Sequence, residues 1–330
     1  MARTVALIAT GGTISAVGKD RLDLASYLEN DESVAAESLI AEIPEARALA
    51  IIREVGYARL PSHALTHDDW IALLTTVRGL LADDEVSAVV ITHGTNTLEE
   101  TAYFLSLTLS DRKPIVLVGA MRPASGLSTD GPLNLLNAIR VAVARESTGR
   151  GVLVVMNDGI FAPRDVTKTM TYRLQAFGSP DLGPLGYADA DGRVVYYHRS
   201  ERRPGALPAF DLNDGKLPRV DVTVSYVGAD GTMIDAAVRA GAAGIVSAGT
   251  GAGRPTPSEM VALERACSAG VVVCQTSRVG GGRVVASPAL RSAGFVAADN
   301  LGPWKARVLL ALALTKTSDQ QAIQELFDRY

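Results

Sequence analysis

The feature that most constrains the fold of this chain is an alternation of short β-branched runs with longer amphipathic stretches. Each run has the length of a strand, and the stretches between runs have apolar residues at helical spacing. Thr97 and Asp130 are predicted to cap two of the helices. This rhythm is typical of parallel sheets covered by helices. The runs lie at residues 5–8, 86–92, 114–119, 151–156, 220–226, 244–248 and 271–274.

The chain is long enough for two hydrophobic cores, because its 330 residues exceed the usual size of a single-core domain. Between about residue 188 and residue 217 the periodicity is lost, and Asp-Gly, Arg-Arg-Pro-Gly and Asn-Asp-Gly indicate a hairpin and a linker. We therefore predict an α/β protein whose larger N-terminal catalytic domain, over 1–190, has a mostly parallel sheet flanked by helices. A linker over 191–217 leads to a smaller parallel α/β domain over 218–330.

Composition narrows the class of partner. The net charge is −4 and there is no run of lysine or arginine, so we expect no nucleic-acid partner and predict a small-molecule one. No apolar stretch reaches the roughly 18 residues that would span a membrane. Residues 5–9 are interpreted as a strand rather than a secretory leader, which predicts a cytoplasmic protein, or a periplasmic one if a leader has been removed. Cys267 and Cys274 are expected in the core, without a disulfide.

Hydroxyl and amide side chains follow several of the predicted strands directly. Ligands bind at the carboxyl ends of the strands in an open parallel sheet, so these residues are the first candidates for a site. The first strand ends in Thr10-Gly-Gly-Thr13. Its two glycines allow a sharp bend that brings N–H groups toward a bound oxygen, as an oxyanion hole requires. Thr13 is therefore predicted to be the nucleophile.

A threonine hydroxyl needs a base before it can attack. The chain has only four histidines, and a lysine kept neutral by burial is a plausible substitute. Lys168, predicted to lie near Thr95, is the candidate. Two plainer interpretations stay open, namely a purely structural turn at residues 10–13 and a solvated surface position for Lys168.

The histidines have simpler interpretations. His63 and His67 stand four residues apart and could share a helix face as metal ligands, yet the residues around them resemble the start of a helix. We therefore predict no metal site. His93 is expected to be a hydrogen-bonded structural group rather than a general base.

Seven segments of the chain match a set of signature motifs. They lie at residues 9–14, 91–95, 99–104, 118–123, 130–134, 151–158 and 164–168. With them, the chain resembles the bacterial L-asparaginase and glutaminase-asparaginase family over nearly its whole length. The resemblance implies two α/β domains and a homotetramer of intimate dimers, with each active site completed by a neighbouring subunit. It also implies neither a metal nor a cofactor.

The resemblance further implies roles for individual residues. Thr13 would be the nucleophile, and Tyr27, on a mobile flap, its activating partner. Thr95 and Lys168 would form a second pair of hydroxyl and base. Ser62 would hold the carboxylate of the substrate. The implied substrate-binding positions are Gly12, Ser62, His63, Asn96, Ala120 and Ser258, the last supplied by the partner chain.

The chain departs from the family's pattern where the α-ammonium group of the substrate binds. Asn96 stands in place of an aspartate, Ala252 stands in place of an asparagine from the adjacent subunit, and residues 279–298 contain no acid to serve as the family's glutamate. His63 replaces a glutamine or glutamate. A charge-assisted hydrogen bond contributes about 1.5–3 kcal/mol, so losing one weakens binding roughly 10- to 100-fold.

Three functions are compatible with these observations. The first is hydrolysis of L-asparagine to L-aspartate and ammonia through an acyl-enzyme on Thr13. The second is the same mechanism on an amide that lacks a free α-ammonium group. The third is a binding protein that has lost turnover, and the retention of Thr13, Thr95 and Lys168 argues against it.

Overall fold

The computed structural model describes residues 3–30, 32–110, 112–212 and 215–330. The chain forms two compact units, Met1–Ala209 and Phe210–Tyr330. The described residues of the first unit form ten strands: β1 Thr4–Ala9, β2 Ile51–Val55, β3 Val86–Thr92, β4 Ile115–Val118, β5 Val152–Met156, β6 Gly159–Phe161, β7 Thr167–Lys168, β8 Phe177–Gly178, β9 Gly186–Ala188 and β10 Val194–Tyr196.

Eight of these strands form one sheet in the order β10-β9-β6-β5-β4-β3-β1-β2. The neighbours from β2 through β5 run parallel, whereas β6, β9 and β10 pair antiparallel. Strands β4 and β5 are buried at every position, as expected for central parallel strands covered on both faces. The prediction of a mostly parallel sheet is confirmed, and β7 and β8 form a separate two-stranded ribbon.

Helices cover this sheet: α1 Ala36–Ala41, α2 Ala46–Leu49, α3 His67–Ala82, α4 Leu98–Thr108 and α5 Gly131–Val143. Thr66 caps α3 in a reciprocal box with Asp69. Thr97 and Asp130 stand at the predicted cap positions of α4 and α5, but the predicted capping bonds are wrong, because neither side chain accepts a backbone N–H of its own helix. Thr97 instead donates to the Ser62 carbonyl at 2.8 Å. Thr97 therefore holds the segment that contains Ser62.

The second unit is smaller, and its four strands pair in parallel in the order β11-β12-β13-β14. Cys267 is half-buried and Cys274 buried, and both are free thiols. The prediction of a smaller parallel α/β domain is confirmed. Its elements are β11 Val220–Val224, α6 Thr232–Arg239, β12 Gly244–Gly249, α7 Pro257–Ser268, β13 Val272–Ser277, α8 Pro288–Ser292, β14 Val296–Ala297, α9 Pro303–Ala313 and α10 Gln320–Arg329.

The stretch predicted as a linker, 191–217, is divided between the units. Its strand β10 is the edge of the large sheet, paired with β9 across an Asp-Gly turn, and residues from Phe210 onward belong to the second unit. The exact domain bounds, and a contribution of the second domain to a neighbouring subunit's site, stay predictions. Among the described helices, none has the length and apolar character needed to cross a membrane.

Candidate active site

The loops that follow β1 and β3 lie side by side at the carboxyl edge of the large sheet. The Thr10 backbone N–H donates to the Thr92 carbonyl at 3.2 Å, and the Leu60 N–H donates to the Thr10 carbonyl at 2.9 Å. The His93 N–H continues the ladder to the Val118 carbonyl of β4 at 2.8 Å. These bonds place the ends of neighbouring strands next to one another, as predicted for a ligand site in a parallel sheet.

Two glycines bring the loops into direct contact. Gly12 has φ 90° and ψ −176°, a conformation that is essentially restricted to glycine. A Cβ atom on Gly12 would lie 2.3 Å from the Gly94 Cα, and a Cβ atom on Gly94 would lie 2.6 Å from the Ser62 Oγ. Because Thr13 and Thr95 directly follow these glycines, this close packing positions both threonines and Ser62 in one region.

The hydroxyl of Thr13 is hydrogen-bonded to the phenol of Tyr27, with 3.0 Å between the two oxygens. Both side chains are buried, and Thr13 is only 6% exposed. Burial raises the pKa of the Tyr27 phenol, and the bond to Thr13 opposes the rise only in part. Tyr27 is therefore neutral at physiological pH, and its hydroxyl can either donate or accept the hydrogen bond with Thr13.

A second hydroxyl lies against an amine. Lys168 Nζ is 2.8 Å from the Oγ1 of Thr95, which is 5% exposed. The Lys168 backbone N–H donates to the buried carboxylate of Glu99 on α4 at 3.0 Å. Burial lowers the pKa of Lys168, while the charge of Glu99 acts in the opposite direction. The half-buried position fits a lysine that can lose its proton better than a fully solvated one.

Asn96 and His63 are exposed beside these groups. The Oδ1 of Asn96 accepts a hydrogen bond from Lys168 Nζ at 3.3 Å. Asn96 therefore brings a neutral amide to a position where an aspartate would bring a carboxylate. Ala120 lies just after the end of β4 and is fully buried.

His93 lies within the same loops but is enclosed by protein. Its Nδ1 is 2.8 Å from the Gly94 carbonyl oxygen, which can only accept, so Nδ1 carries the hydrogen. Burial lowers the pKa of His93 to about 4. This environment favours the predicted structural role over general-base catalysis.

Ser258 and Ala252 belong to the second unit. Ser258 is exposed in the first turn of α7, and Ala252 is exposed in the turn after β12. The His63 and His67 pair finds no support as a metal site, since the described residues contain no group of three or more His, Cys, Asp or Glu side chains suited to a metal ion. His67 instead stacks on Trp70 with ring centroids 5.8 Å apart.

Asp130 is a residue of the site region that the sequence analysis missed. Its carboxylate accepts the backbone N–H groups of Met121 and Arg122, both at 2.9 Å, and the Nδ2 of Asn134 at 3.0 Å. It thereby holds the loop that follows β4. An acid before Gly-Pro is typical of a helix cap, and only the folded structure shows that the Asp130 carboxylate accepts hydrogen bonds from the loop after β4.

Two family models match the chain and together cover most of it. The model described as "Asparaginase, N-terminal" matches residues 4–202, and the "Glutaminase/Asparaginase C-terminal domain" matches residues 219–327.

Individual relatives are similar over the whole chain. "L-asparaginase 2" of Escherichia coli is 40% identical over 99% of this chain and 93% of its own length. "Glutaminase-asparaginase" of Pseudomonas fluorescens is 38% identical over 99% and 90%. A crystal structure described as a probable cytoplasmic L-asparaginase from Campylobacter jejuni superimposes with a TM-score of 0.95, at 40% identity, covering 99% of this chain and 100% of the other. The chain therefore belongs to the asparaginase family of enzymes that hydrolyse amides.

Proposed function

We propose that this enzyme hydrolyses the side-chain carboxamide of L-asparagine to L-aspartate and ammonia, with Thr13 as nucleophile. The observation that carries the proposal is the bond between Thr13 and Tyr27, a buried hydroxyl pair at the end of β1. The names of the relatives, L-asparaginase and glutaminase-asparaginase, support the choice of substrate.

In the first step the Thr13 Oγ1 attacks the carboxamide carbon and its proton passes into the hydroxyl network. Backbone N–H groups of the glycine turn at residues 11–12 stabilise the negative charge that develops on the carbonyl oxygen. The C–N bond then breaks, the nitrogen takes up a proton and leaves as ammonia, and an ester on Thr13 remains. In the second step water attacks this ester, which releases the acid and restores the hydroxyl.

The proton transfers require a base, that is, a group that can lose its own proton near physiological pH. Tyr27 cannot serve alone as the base, because burial raises the pKa of its phenol. Lys168 is better suited, because burial lowers its pKa and its Nζ lies 2.8 Å from Thr95. We assign Tyr27 to the orientation of the Thr13 hydroxyl and the Thr95–Lys168 pair to proton transfer.

The remaining predicted residues are assigned to substrate binding. Ser62, buried against Gly94, holds the carboxylate of the substrate in this proposal. The backbone at Gly12 and Ala120 and the side chains of His63 and Asn96 complete the pocket, and Ser258 comes from a partner chain. We also propose the homotetramer and the cytoplasmic location expected from the resemblance. The relatives include proteins named cytoplasmic and periplasmic.

A second candidate has the same mechanism and a different substrate, an amide without a free α-ammonium group. The neutral amide of Asn96 near Lys168 favours it, because this position lacks the carboxylate that would pair with an ammonium. Ala252 and the acid-free residues 279–298 point in the same direction. Loss of a charged partner weakens binding without altering the nucleophile.

An ammonia-release panel with the full-length enzyme tests these alternatives. The substrates are L-asparagine, D-asparagine, L-glutamine, succinamic acid and N-acetyl-asparagine. Rapid release from L-asparagine with a micromolar KM supports the first candidate and overturns the second, whereas preference for succinamic acid or N-acetyl-asparagine does the reverse. Binding without release from any member favours a silent binding protein.

Two variants control the panel. Thr13→Ala removes the nucleophile and should abolish release from every substrate. Thr75→Ala removes an exposed hydroxyl on α3 that donates to the Ile71 carbonyl at 2.8 Å, and should leave release unchanged. Light scattering of the wild-type enzyme tests the tetramer, and a monomer at assay concentration would overturn that part of the proposal.

A further inference from the structure

Helix α5 buries two asparagines among apolar side chains. Asn134 is 3% exposed and Asn137 is 1% exposed, whereas buried positions next to them on the helix, among them Leu135 and Ile139, belong to the hydrophobic core of the first unit. Burial of an amide is unfavourable unless its polar atoms are hydrogen-bonded. The partners of each asparagine therefore show which part of the molecule it holds.

Asn134 bonds to three separate segments of the chain. Its Nδ2 donates to the Gly119 carbonyl and to the Asp130 carboxylate, both at 3.0 Å. Its Oδ1 accepts the backbone N–H of Asn157 at 3.0 Å. The two N–H groups of the amide thus have two acceptors, and its oxygen has a donor. One side chain thereby joins the end of β4, the residue before α5 and the turn between β5 and β6.

Both backbone polar groups of Gly119 bond to side chains at the point where the chain leaves β4. The Gly119 N–H donates to the Met156 Sδ at 3.2 Å, and the Gly119 carbonyl accepts the bond from Asn134. A thioether sulfur is a weak acceptor, so the bond to the amide of Asn134 is the stronger of the two. Asn134 is therefore the main constraint on the position of the Gly119 backbone.

Gly119 lies against Thr95 of the proposed proton-transfer pair. A Cβ atom on Gly119 would lie only 3.0 Å from the Thr95 Cγ2, so the methyl group of Thr95 packs against the Gly119 backbone. The Oγ1 of the same side chain is 2.8 Å from Lys168 Nζ. Because Cγ2 and Oγ1 share one Cβ atom, a contact that fixes the methyl group also fixes the direction of the hydroxyl.

We propose that Asn134 is a positioning residue for proton transfer. Its bond to the Gly119 carbonyl keeps the Gly119 backbone against the Thr95 methyl group, which holds the rotamer that brings the Thr95 hydroxyl to Lys168. Asn134 acts through Gly119 and Thr95. This role rests on the proposed function, in which the pair of Thr95 and Lys168 transfers protons.

Asn137 provides the matched control, because it is buried on the same helix but bonds elsewhere. Its Nδ2 donates to the Asp158 carboxylate and its Oδ1 accepts from Arg140, both at 2.9 Å. Asn134→Ala and Asn137→Ala each leave buried groups unpaired, so both should lower the melting temperature. Steady-state kinetics is measured where circular dichroism shows both variants folded.

Only Asn134→Ala should then lower kcat, by roughly 10- to 100-fold, because small displacements of a reacting group have effects of this size. Its KM should change little, since the Thr95–Lys168 pair is assigned to proton transfer and not to binding. Equal losses of kcat in Asn134→Ala and Asn137→Ala would overturn the proposal. A higher KM at unchanged kcat would do so too, because it assigns Asn134 to substrate binding.

A double-mutant cycle tests the route through Thr95. Thr95→Ser keeps the hydroxyl and removes the methyl group that packs against Gly119. If Asn134 acts through that methyl group, Asn134→Ala should lower kcat by a much smaller factor in Thr95→Ser than in the wild type. Asn137→Ala should leave kcat unchanged in both backgrounds. Equal factors for Asn134→Ala in the two backgrounds would overturn the proposed route.

Amide hydrogen exchange separates this positioning role from the proposed function. The N–H groups of Met121 and Arg122 donate to Asp130, which Asn134 holds, so Asn134→Ala should speed their exchange and Asn137→Ala should not. A wild type that releases no ammonia from any amide would overturn the proposed function, and the role in proton transfer with it. An active wild type whose exchange and kcat are unaffected by Asn134→Ala would overturn the positioning role alone.

Discussion

Gly12 and Gly94 are in direct backbone contact, and a Cβ atom on Gly12 would lie only 2.3 Å from the Gly94 Cα. We expect Gly12→Ala to lose activity at least about 100-fold, because relief of this clash must move Thr13 away from Thr95. The backbone conformation of Gly12 adds roughly 1–3 kcal/mol of strain to any side chain. Initial rates and thermal melting measure the two effects.

The control for this variant is Gly79→Ala. Gly79 lies inside α3, and a Cβ atom there meets no atom within 4 Å. This change should leave activity intact and stabilise the helix by about 0.4–1 kcal/mol. Full activity of Gly12→Ala would show that the contact between the two loops does not position the threonines.

The alternation of strands and helices is sufficient to predict the sheets and the edge at which the candidate site lies. Strand ends converge in a parallel sheet whatever the side chains are, so Thr13 and Thr95 could be placed near each other from periodicity alone. Periodicity does not place the side chains that contact these two threonines. That Tyr27 contacts Thr13 depends on the path of the segment between residues 14 and 27, which has no periodicity to interpret.

Asp130 and Glu99 show a second reason why sequence was insufficient. Both stand at the start of a helix, where acids are common because they interact favourably with the helix dipole. Their position in the sequence therefore gives no sign of their bonds to other segments. Asp130 holds the loop after β4 and Glu99 holds Lys168. The bond between Glu99 and Lys168 joins residues 69 apart in the sequence, and contacts of this kind are determined by packing.

Tyr27→Phe removes the hydroxyl that is bonded to Thr13. We expect kcat to fall roughly 100-fold or more, because Thr13 loses the partner that orients its hydroxyl for proton transfer. Steady-state kinetics gives kcat, and circular dichroism should show an intact fold. Tyr57→Phe, which removes a hydroxyl 3.3 Å from the Asp69 carbonyl, is the matched control and should not change kcat. Equal kcat in both variants would contradict a role for Tyr27.

Asn96→Asp tests which feature sets substrate preference. A carboxylate at this position would pair with the α-ammonium of L-asparagine, so KM should fall roughly 10- to 100-fold. Asn96→Ala removes the amide without adding charge and should not lower KM. An unchanged KM in Asn96→Asp would mean that the amide at this position does not limit recognition of L-asparagine.

Glu99→Gln changes the charge beside Lys168 while keeping an acceptor for its backbone N–H. The charge of Glu99 raises the pKa of Lys168, so its removal lowers that pKa further below the ordinary value of 10.5. Because the proposed base must be neutral, activity rises with pH through this pKa, and the acid limb of the kcat profile should move to lower pH. Glu45→Gln, an exposed acid, should leave the limb in place. Movement to higher pH would exclude Lys168 as the base.

His93 should make the stability of the fold depend on pH. The pKa of His93 is about 4 in the folded protein and 6.5 when the side chain is solvated. Below pH 6.5 the unfolded chain therefore binds a proton at His93 that the native state does not bind. Stability therefore falls as the pH decreases from 6.5 to about 4, by roughly 3 kcal/mol from this group. Urea unfolding at pH 4.5 and pH 7 measures the difference.

His93→Gln and His63→Gln separate this effect from the titration of other groups. Whatever the stability of His93→Gln at pH 7, this variant should lose less stability than the wild type on acidification, because a glutamine side chain does not bind a proton in this pH range. His63 is exposed, so His63→Gln should keep the full wild-type dependence. If His93→Gln retained that dependence as well, the acid sensitivity would belong to carboxylates, and His93 would not be the buried neutral group that these loops enclose.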